Sequence, residues 1–167
     1  MTRNIIFLHG LESSRQTYKA GVIRDYFPEL IVPDFTGPLA QRMKALYPLL
    51  GNKMDWTIIG SSFGGLMGAI FSCEHPDQVG KLVLLAPALM LPEFAPFLDT
   101  STSLSTSRGP VSVPTTIIHG RQDTVVPLEE VREIARKVFS NLTYEIVDDD
   151  HRLHHATDTL DWKAILA

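Results

Sequence analysis

The 167-residue sequence predicts an α/β architecture, with about six parallel strands in one sheet and helices on both faces, in a single domain over residues 1–167. Three observations carry this expectation. Short aliphatic and β-branched runs alternate along the chain with longer stretches whose apolar residues recur at helical spacing. Residues 79–86 and 115–119 are nearly continuous apolar runs, the pattern of strands buried on both faces of a parallel sheet. Finally, 44% hydrophobic and 20% charged residues, with a formal net charge of −4, describe a chain that buries a core. They exclude disordered, collagen-like and coiled-coil readings.

The first strand covers residues 4–8 and ends in His9-Gly10. Residues 16–27 follow as a helix, with Tyr18, Val22, Ile23, Tyr26 and Phe27 at helical spacing. Residues 30–32 read as a second strand ended by Pro33, and residues 34–38 as a turn-rich loop. Ala40, Met43, Leu46 and Tyr47 set a helix that Pro48 and Gly51 bring to an end. Residues 56–59 form a strand running almost without a loop into Gly60-Ser61-Ser62-Phe63-Gly64-Gly65, then into an apolar helix that stops near His75-Pro76. After the strand at 79–86, residues 91–114 interrupt the rhythm with Pro92, Pro96, Pro110, Pro114 and the Ser/Thr-rich run 100–107. A connection of this length is either a short lid or a mobile loop, and is too short for a helical cap domain. A strand at 115–119, an amphipathic helix over 126–139, a strand at 144–147 and a last helix from about Asp158 complete the chain.

The acidic balance leaves no broad basic surface, so no nucleic-acid partner is expected. The longest early apolar run, residues 5–8, falls far short of the roughly 20 residues that span a bilayer. No membrane span is expected, and the protein reads as cytoplasmic. The lone Cys73 cannot form an internal disulfide, which fits a reducing compartment.

Gly60-Ser61-Ser62-Phe63-Gly64 fits G-x-S-x-G with Ser62 at its centre, where a buried strand meets an apolar helix. Such a reversal strains the central residue, and the flanking glycines let strand and helix approach without a Cβ clash. The bland alternative is a Gly/Ser turn capping a helix. A serine hydroxyl needs a base to act as a nucleophile, and the base needs a carboxylate to orient it. In open α/β sheets the site lies beyond the carboxyl ends of the strands, so both groups should follow strands. His151, directly after the last strand, is the candidate base, with His154 and His155 as nearby alternatives. Asp123, in the turn after residues 115–119, is the candidate acid, though an ordinary turn or N-cap aspartate would look the same. Oxyanion donors are expected from the backbone amides of Phe63, the residue after the serine, and Leu11, in the loop after the first strand.

These residues, in the order Ser62, Asp123, His151, resemble the α/β-hydrolase superfamily over nearly the whole chain. Residues 8–14 (LHGLESS), Lys19-Ala20, Val32-Pro33 and residues 59–65 (IGSSFGG) are more narrowly similar to small bacterial YqiA-like esterases. The resemblance implies a minimal α/β-hydrolase fold lacking the two N-terminal strands of the larger superfamily sheet. It implies a serine esterase or thioesterase in which Ser62 is acylated and water activated by His151 frees it, with no metal and no organic cofactor. Serine at the turn sets the chain apart from relatives that carry aspartate or cysteine there. Phe35, Leu89, Met90, Leu91, Phe94 and Phe97 are candidates to line the acyl pocket, or else to cover the core beneath a long loop. Arg121 and Arg152 flank the acid and base and could meet an anionic leaving group, or simply face solvent. A small-molecule acyl ester or thioester is the expected partner, and a modestly selective, open site follows from the thin covering. The competing class is a non-catalytic binding protein that keeps the fold.

Overall fold

The computed structural model describes residues 3–14, 16–98 and 110–167. Among these, β1 (Ile5–Leu8), β2 (Trp56–Ser61), β3 (Val79–Leu85), β4 (Thr115–Gly120) and β5 (Leu142–Val147) form one sheet in that spatial order, every pairing parallel. Successive side chains of a strand point to opposite faces. Ile6, Leu8, Ile58, Leu82, Leu84 and Ile117 enter one apolar cluster, while Ile5, Phe7, Ile59, Val83, Leu85 and Ile118 enter another. Burial on both faces is why these strands read as unbroken apolar runs. Helices α1 (Tyr18–Tyr26), α5 (His154–Thr159) and α6 (Trp162–Ile165) contribute to the second cluster. α2 (Leu39–Leu50), α3 (Phe63–Glu74) and α4 (Leu128–Val138) cover the first.

The direction of each crossover decides its face, because connections between parallel strands are right-handed. From β1 the chain runs through α1 to Ile31, which pairs on the outer side of β1: Phe7 N–H donates to the Ile31 carbonyl at 2.8 Å and Ile31 N–H to that of Ile5 at 3.0 Å. It then returns over β1 through α2 to β2, and progresses in one direction from there. The reversal sends the chain leaving β1 and the chain leaving β2 to opposite faces. A crevice opens between them at the carboxyl ends of the strands.

The sheet has five strands rather than about six. Ile31 makes a single bridge to Ile6 and no ladder. Leu30 N–H is tied back to the Phe27 carbonyl at 3.0 Å, and Pro33 has no N–H to offer, so residue 31 pairs alone. Pro48 lies inside α2 instead of ending it; Gly51, at φ 53°, closes the helix. The last helical segment begins at His154, ahead of the expected start near 158, and breaks at Leu160, which turns extended. Asp161 then starts α6 by accepting from Ala164 N–H at 3.1 Å.

In the connection after β3, Pro92–Phe97 forms a 3-10 helix whose buried Phe94 stacks on Phe97 at 5.5 Å between centroids. On its far side Val111 bridges to Phe139. The Ser/Thr-rich run 100–107, for which the sequence offers a lid or a loop, lies outside the described residues. Among the described residues, no helix is long and apolar enough to cross a membrane.

Candidate active site

Strand β2 passes into α3 through one residue. Ser62 adopts φ 54°, ψ −112°, a conformation that costs a non-glycine residue about 1–3 kcal/mol. The surroundings hold it there: Ser62 N–H donates to the Leu85 carbonyl at 2.9 Å, and the Ser62 carbonyl accepts from Ala88 at 3.0 Å and Leu66 at 3.2 Å. A Cβ on Gly64 would stand 2.0 Å from the Leu8 carbonyl oxygen, so only glycine lets the first turn of α3 lie against the end of β1. The serine hydroxyl thus sits just beyond the carboxyl end of β2, at the positive end of an apolar helix.

His151 follows β5, with Nε2 3.1 Å from Ser62 Oγ and Nδ1 2.8 Å from Asp123 Oδ2. A carboxylate only accepts, so Nδ1 carries the proton and Nε2 offers its lone pair to the hydroxyl. Asp123 lies in the turn after β4, its side chain wholly buried. Its Oδ1 accepts from Val125 and Val126 N–H, each at 2.8 Å. Burial alone would push this carboxyl up, but the Val126 amide, the His151 ring and the Val125 amide outweigh it and hold it below the ordinary carboxylate range. Asp123 is therefore ionised at neutral pH. A Cβ on Gly120 would stand 2.4 Å from the Asp149 carbonyl oxygen, so the bare glycine lets the loop carrying His151 pack onto the Asp123 turn.

A second ring completes the cluster. His119 Nε2–H donates to Asp123 Oδ2 at 3.1 Å and to the Val126 carbonyl at 3.2 Å, while Nδ1 accepts from the Tyr144 hydroxyl at 2.7 Å. Burial pulls the His119 pKa down despite the pull of Asp123, and burial pushes the Tyr144 pKa up. Both side chains are neutral, and each presents the proton that its partner needs. Residue typing gave no reason to choose His119; the available signal was its place at a strand end, four residues ahead of Asp123.

On the other side of Ser62, the buried His9 accepts from Phe35 N–H at Nε2 (2.8 Å) and donates from Nδ1 to the Gly10 carbonyl (2.8 Å). Ser13 N–H donates to the same carbonyl at 3.3 Å. In a trans peptide the N–H lies opposite the C=O, so the Leu11 amide turns away from both donors. The buried Arg42 donates to the carbonyls of Gly37 (2.8 Å) and Leu11 (3.1 Å) and lies over the Phe63 ring at 5.3 Å. The two segments carrying the expected oxyanion amides are thereby tied together. An arginine on an amphipathic helix reads as exposed, so residue type carries no signal of this burial.

A cavity of about 670 Å³ adjoins Ser62 and His151. Leu11, Phe63, Met90 and Leu91 line it, and so do Ala88, Val125 and Val126, which sequence reasoning did not select. Four of the aromatic and aliphatic candidates lie elsewhere. Phe35, Leu89 and Phe94 are buried within the first cluster, and Phe97 packs against it. None of these four lines the cavity. His154 packs on Tyr18 at 4.7 Å between centroids and His155 is exposed; neither meets Ser62. Burial pushes the Cys73 thiol up to about 12, which removes it as a rival nucleophile. Among the described residues, no group of three or more His, Cys, Asp or Glu side chains is placed to hold a metal ion.

No family model matches the chain. Over 38 residues, 23% of this chain, it is 47% identical to the human Serine hydrolase-like protein, and it spans 19% of that relative's length. Among solved structures it is similar to Est1E from Butyrivibrio proteoclasticus with ferulic acid bound, at 17% identity and TM-score 0.74, covering 96% of this chain and 85% of that one. It is also similar to mouse alpha/beta hydrolase domain-containing protein 10, at 19% identity and TM-score 0.75, covering 99% and 88% respectively. The chain has the α/β-hydrolase fold.

Proposed function

We propose that the protein is a serine hydrolase that cleaves carboxylic esters or thioesters of small to medium acyl groups, a cytoplasmic enzyme of the YqiA-like kind that its residues resemble. The observation that carries this reading is the hydrogen-bonded line from Ser62 Oγ through His151 to the ionised Asp123, opening on a cavity. Ser62 Oγ attacks the acyl carbon while its proton passes to His151 Nε2, and Asp123 stabilises the imidazolium through Nδ1. The C–O or C–S bond breaks, the leaving group takes the proton from Nε2, and Ser62 is left acylated. Water gives a proton to Nε2, attacks the acyl carbon and releases the acid as the proton returns to Ser62. The Leu11 and Phe63 amides meet the oxyanion in both steps, a contribution of about 3 kcal/mol per donor in comparable sites. The reading requires no metal or organic cofactor.

A fluorophosphonate probe is the test. The folded protein is expected to be labelled at Ser62, with no labelling of Ser62→Ala. Graded p-nitrophenyl esters and acyl thioesters are expected to show Ser62-dependent turnover. Absence of both, with the fold intact by circular dichroism, would leave the non-catalytic binding protein as the better description.

A further inference from the structure

We propose that the cavity beside Ser62 selects a substrate carrying a carboxylate or phosphate group, held by Lys19 and Arg152. The inference rests on the esterase reading and narrows its substrate class. The lining divides by chemistry. Ala88, Met90, Leu91, Val125 and Val126, from the segments after β3 and β4, form an apolar wall. Ser13, Thr17, Lys19 and Arg152, from the β1–α1 segment and the loop that carries His151, form a polar one. Ser62 opens onto the same cavity, so a substrate placing its acyl carbon there shares the space with these apolar side chains and with two cations.

Among the described residues, neither the Lys19 ammonium nor the Arg152 guanidinium makes a hydrogen bond or ion pair. The carboxylates nearest Lys19 are engaged by backbone. Asp149 accepts from Asp150 and Ala156 N–H, and Asp150 accepts from Arg152 N–H, each at 2.8 or 2.9 Å. Neither lines the cavity. Among the described residues, Glu12 is the one acid that does, and it is exposed. The cavity lining itself therefore presents two cations and one acid, with the charges of Asp149 and Asp150 acting on Lys19 from outside the lining. Lys19 is also half-buried, and burial lowers its pKa against the pull of Asp150 and Asp149, with Arg152 adding repulsion. A half-desolvated ammonium is relieved more by an anion, through a charge-assisted hydrogen bond, than by the carbonyl of a neutral ester.

Three pairs of esters test this: 4-carboxyphenyl against 4-carbamoylphenyl butyrate, 4-phosphophenyl against phenyl butyrate, and the 4-nitrophenyl monoester of glutarate against 4-nitrophenyl pentanoate. The first two place a carboxylate or a phosphate on the leaving group, and the third places a carboxylate on the acyl side. In at least one pair, kcat/KM for the anionic ester is expected to exceed that of its neutral counterpart by about tenfold at low salt, with the ratio falling towards one in 1 M salt. Lys19→Gln and Arg152→Gln are each expected to cut the ratio about fivefold, and Lys19→Arg to retain it. Calorimetry on Ser62→Ala reads binding without turnover: the anionic ester should bind more tightly than the neutral one, and the added Lys19→Gln should remove the difference. Ratios at or below one in all three pairs, with Ser62-dependent turnover intact, would overturn the anionic substrate class and leave the esterase reading standing. Turnover of no ester would overturn the esterase reading, and calorimetry then decides anion binding alone.

Discussion

Asp123 Oδ2 serves two rings at once, His151 Nδ1 at 2.8 Å and His119 Nε2 at 3.1 Å, while the amides of Val125 and Val126 hold Oδ1. Every lone pair that matters is spoken for, so the carboxylate has one orientation to offer His151. His119→Ala removes one of those donors and leaves the Tyr144 hydroxyl without its acceptor. We expect kcat to fall between about tenfold and a hundredfold with little change in KM, since a misaligned base is costly while the cavity lining is untouched. His119→Gln, whose amide both donates and accepts, should restore most of the loss. The same ring links folding to pH. Its folded pKa lies below the ordinary value of about 6.5, so as pH falls through that value the unfolded chain takes up a proton that the folded one refuses. Stability from this source is present above about pH 6.5 and lost below it. The depressed Asp123 carboxyl acts in a separate, more acidic window, contributing stability above the ordinary carboxylate range that is lost as pH falls through its lowered folded value. Urea unfolding at pH 7.5, 6 and 5 should show a smaller loss for His119→Gln than for wild type; equal losses would remove His119 as the source. At this scale the sequence singles out positions where a residue type, a motif and a strand end coincide, and the fold brings three of these, Ser62, Asp123 and His151, into one hydrogen-bonded line. The sequence is silent on Arg42 and on the His119–Tyr144 pair, because a buried polar group is identified by partners that only the folded chain supplies.

The elements were readable in the sequence where one pattern dominates, and blurred where two compete. Four of the five strands carry the apolar runs expected of buried positions, and α4 carries the stripe of Val131, Ala135 and Val138. Residues 30–32 have the composition of a strand, yet pairing needs N–H groups and length, and a turn on one side with a proline on the other leaves neither. The aromatic candidates for the pocket turn inward for a related reason: after a strand end, an aromatic side chain can turn towards solvent or back into the core, and hydrophobicity does not choose between them. Glycines show the same dependence on context. A Cβ on Gly21, in α1, would meet nothing within 4 Å, whereas at Gly120 it would meet two backbone oxygens, at 2.4 and 2.5 Å. Gly21→Ala should therefore stabilise the protein by about 0.5–1 kcal/mol through helix propensity. Gly120→Ala must push the segment carrying His151 off the Asp123 turn, at about 1–3 kcal/mol of stability and a larger loss of kcat. Thermal melts and esterase assays on the two variants check this, and a fully active Gly120→Ala would show that the close approach does not set the geometry of the site.

Across the molecule, stability and strain sit at different places in the sheet. Of the four non-glycine residues with positive φ among the described residues, Ser62 and Ala86 follow the ends of β2 and β3, and Leu153 follows His151. The fourth, Asp55, precedes β2 at the opposite edge. The middle of the sheet, by contrast, is buried on both faces and unstrained, and it is the scaffold that makes those conformations tolerable. This separation predicts that the two properties respond oppositely to substitution. Leu82, fully buried in β3 and paired between Ile58 and Thr115, lies away from the carboxyl ends of the strands where Ser62 and Ala86 sit. Leu82→Ala should cost about 2–5 kcal/mol through the lost burial and the cavity left behind, lowering the urea midpoint without changing the slope. Ser62→Gly relieves the positive φ and should raise stability by about 1 kcal/mol while abolishing turnover. Combined, the two should add to within about 0.5 kcal/mol, because strained turn and core strand share no partner. The measurement is a set of urea titrations on the four proteins of the cycle. A destabilised Ser62→Gly would mean that the serine conformation is not strained, and the placement of strain at the carboxyl ends of the strands would then have to rest on Ala86 and Leu153 alone.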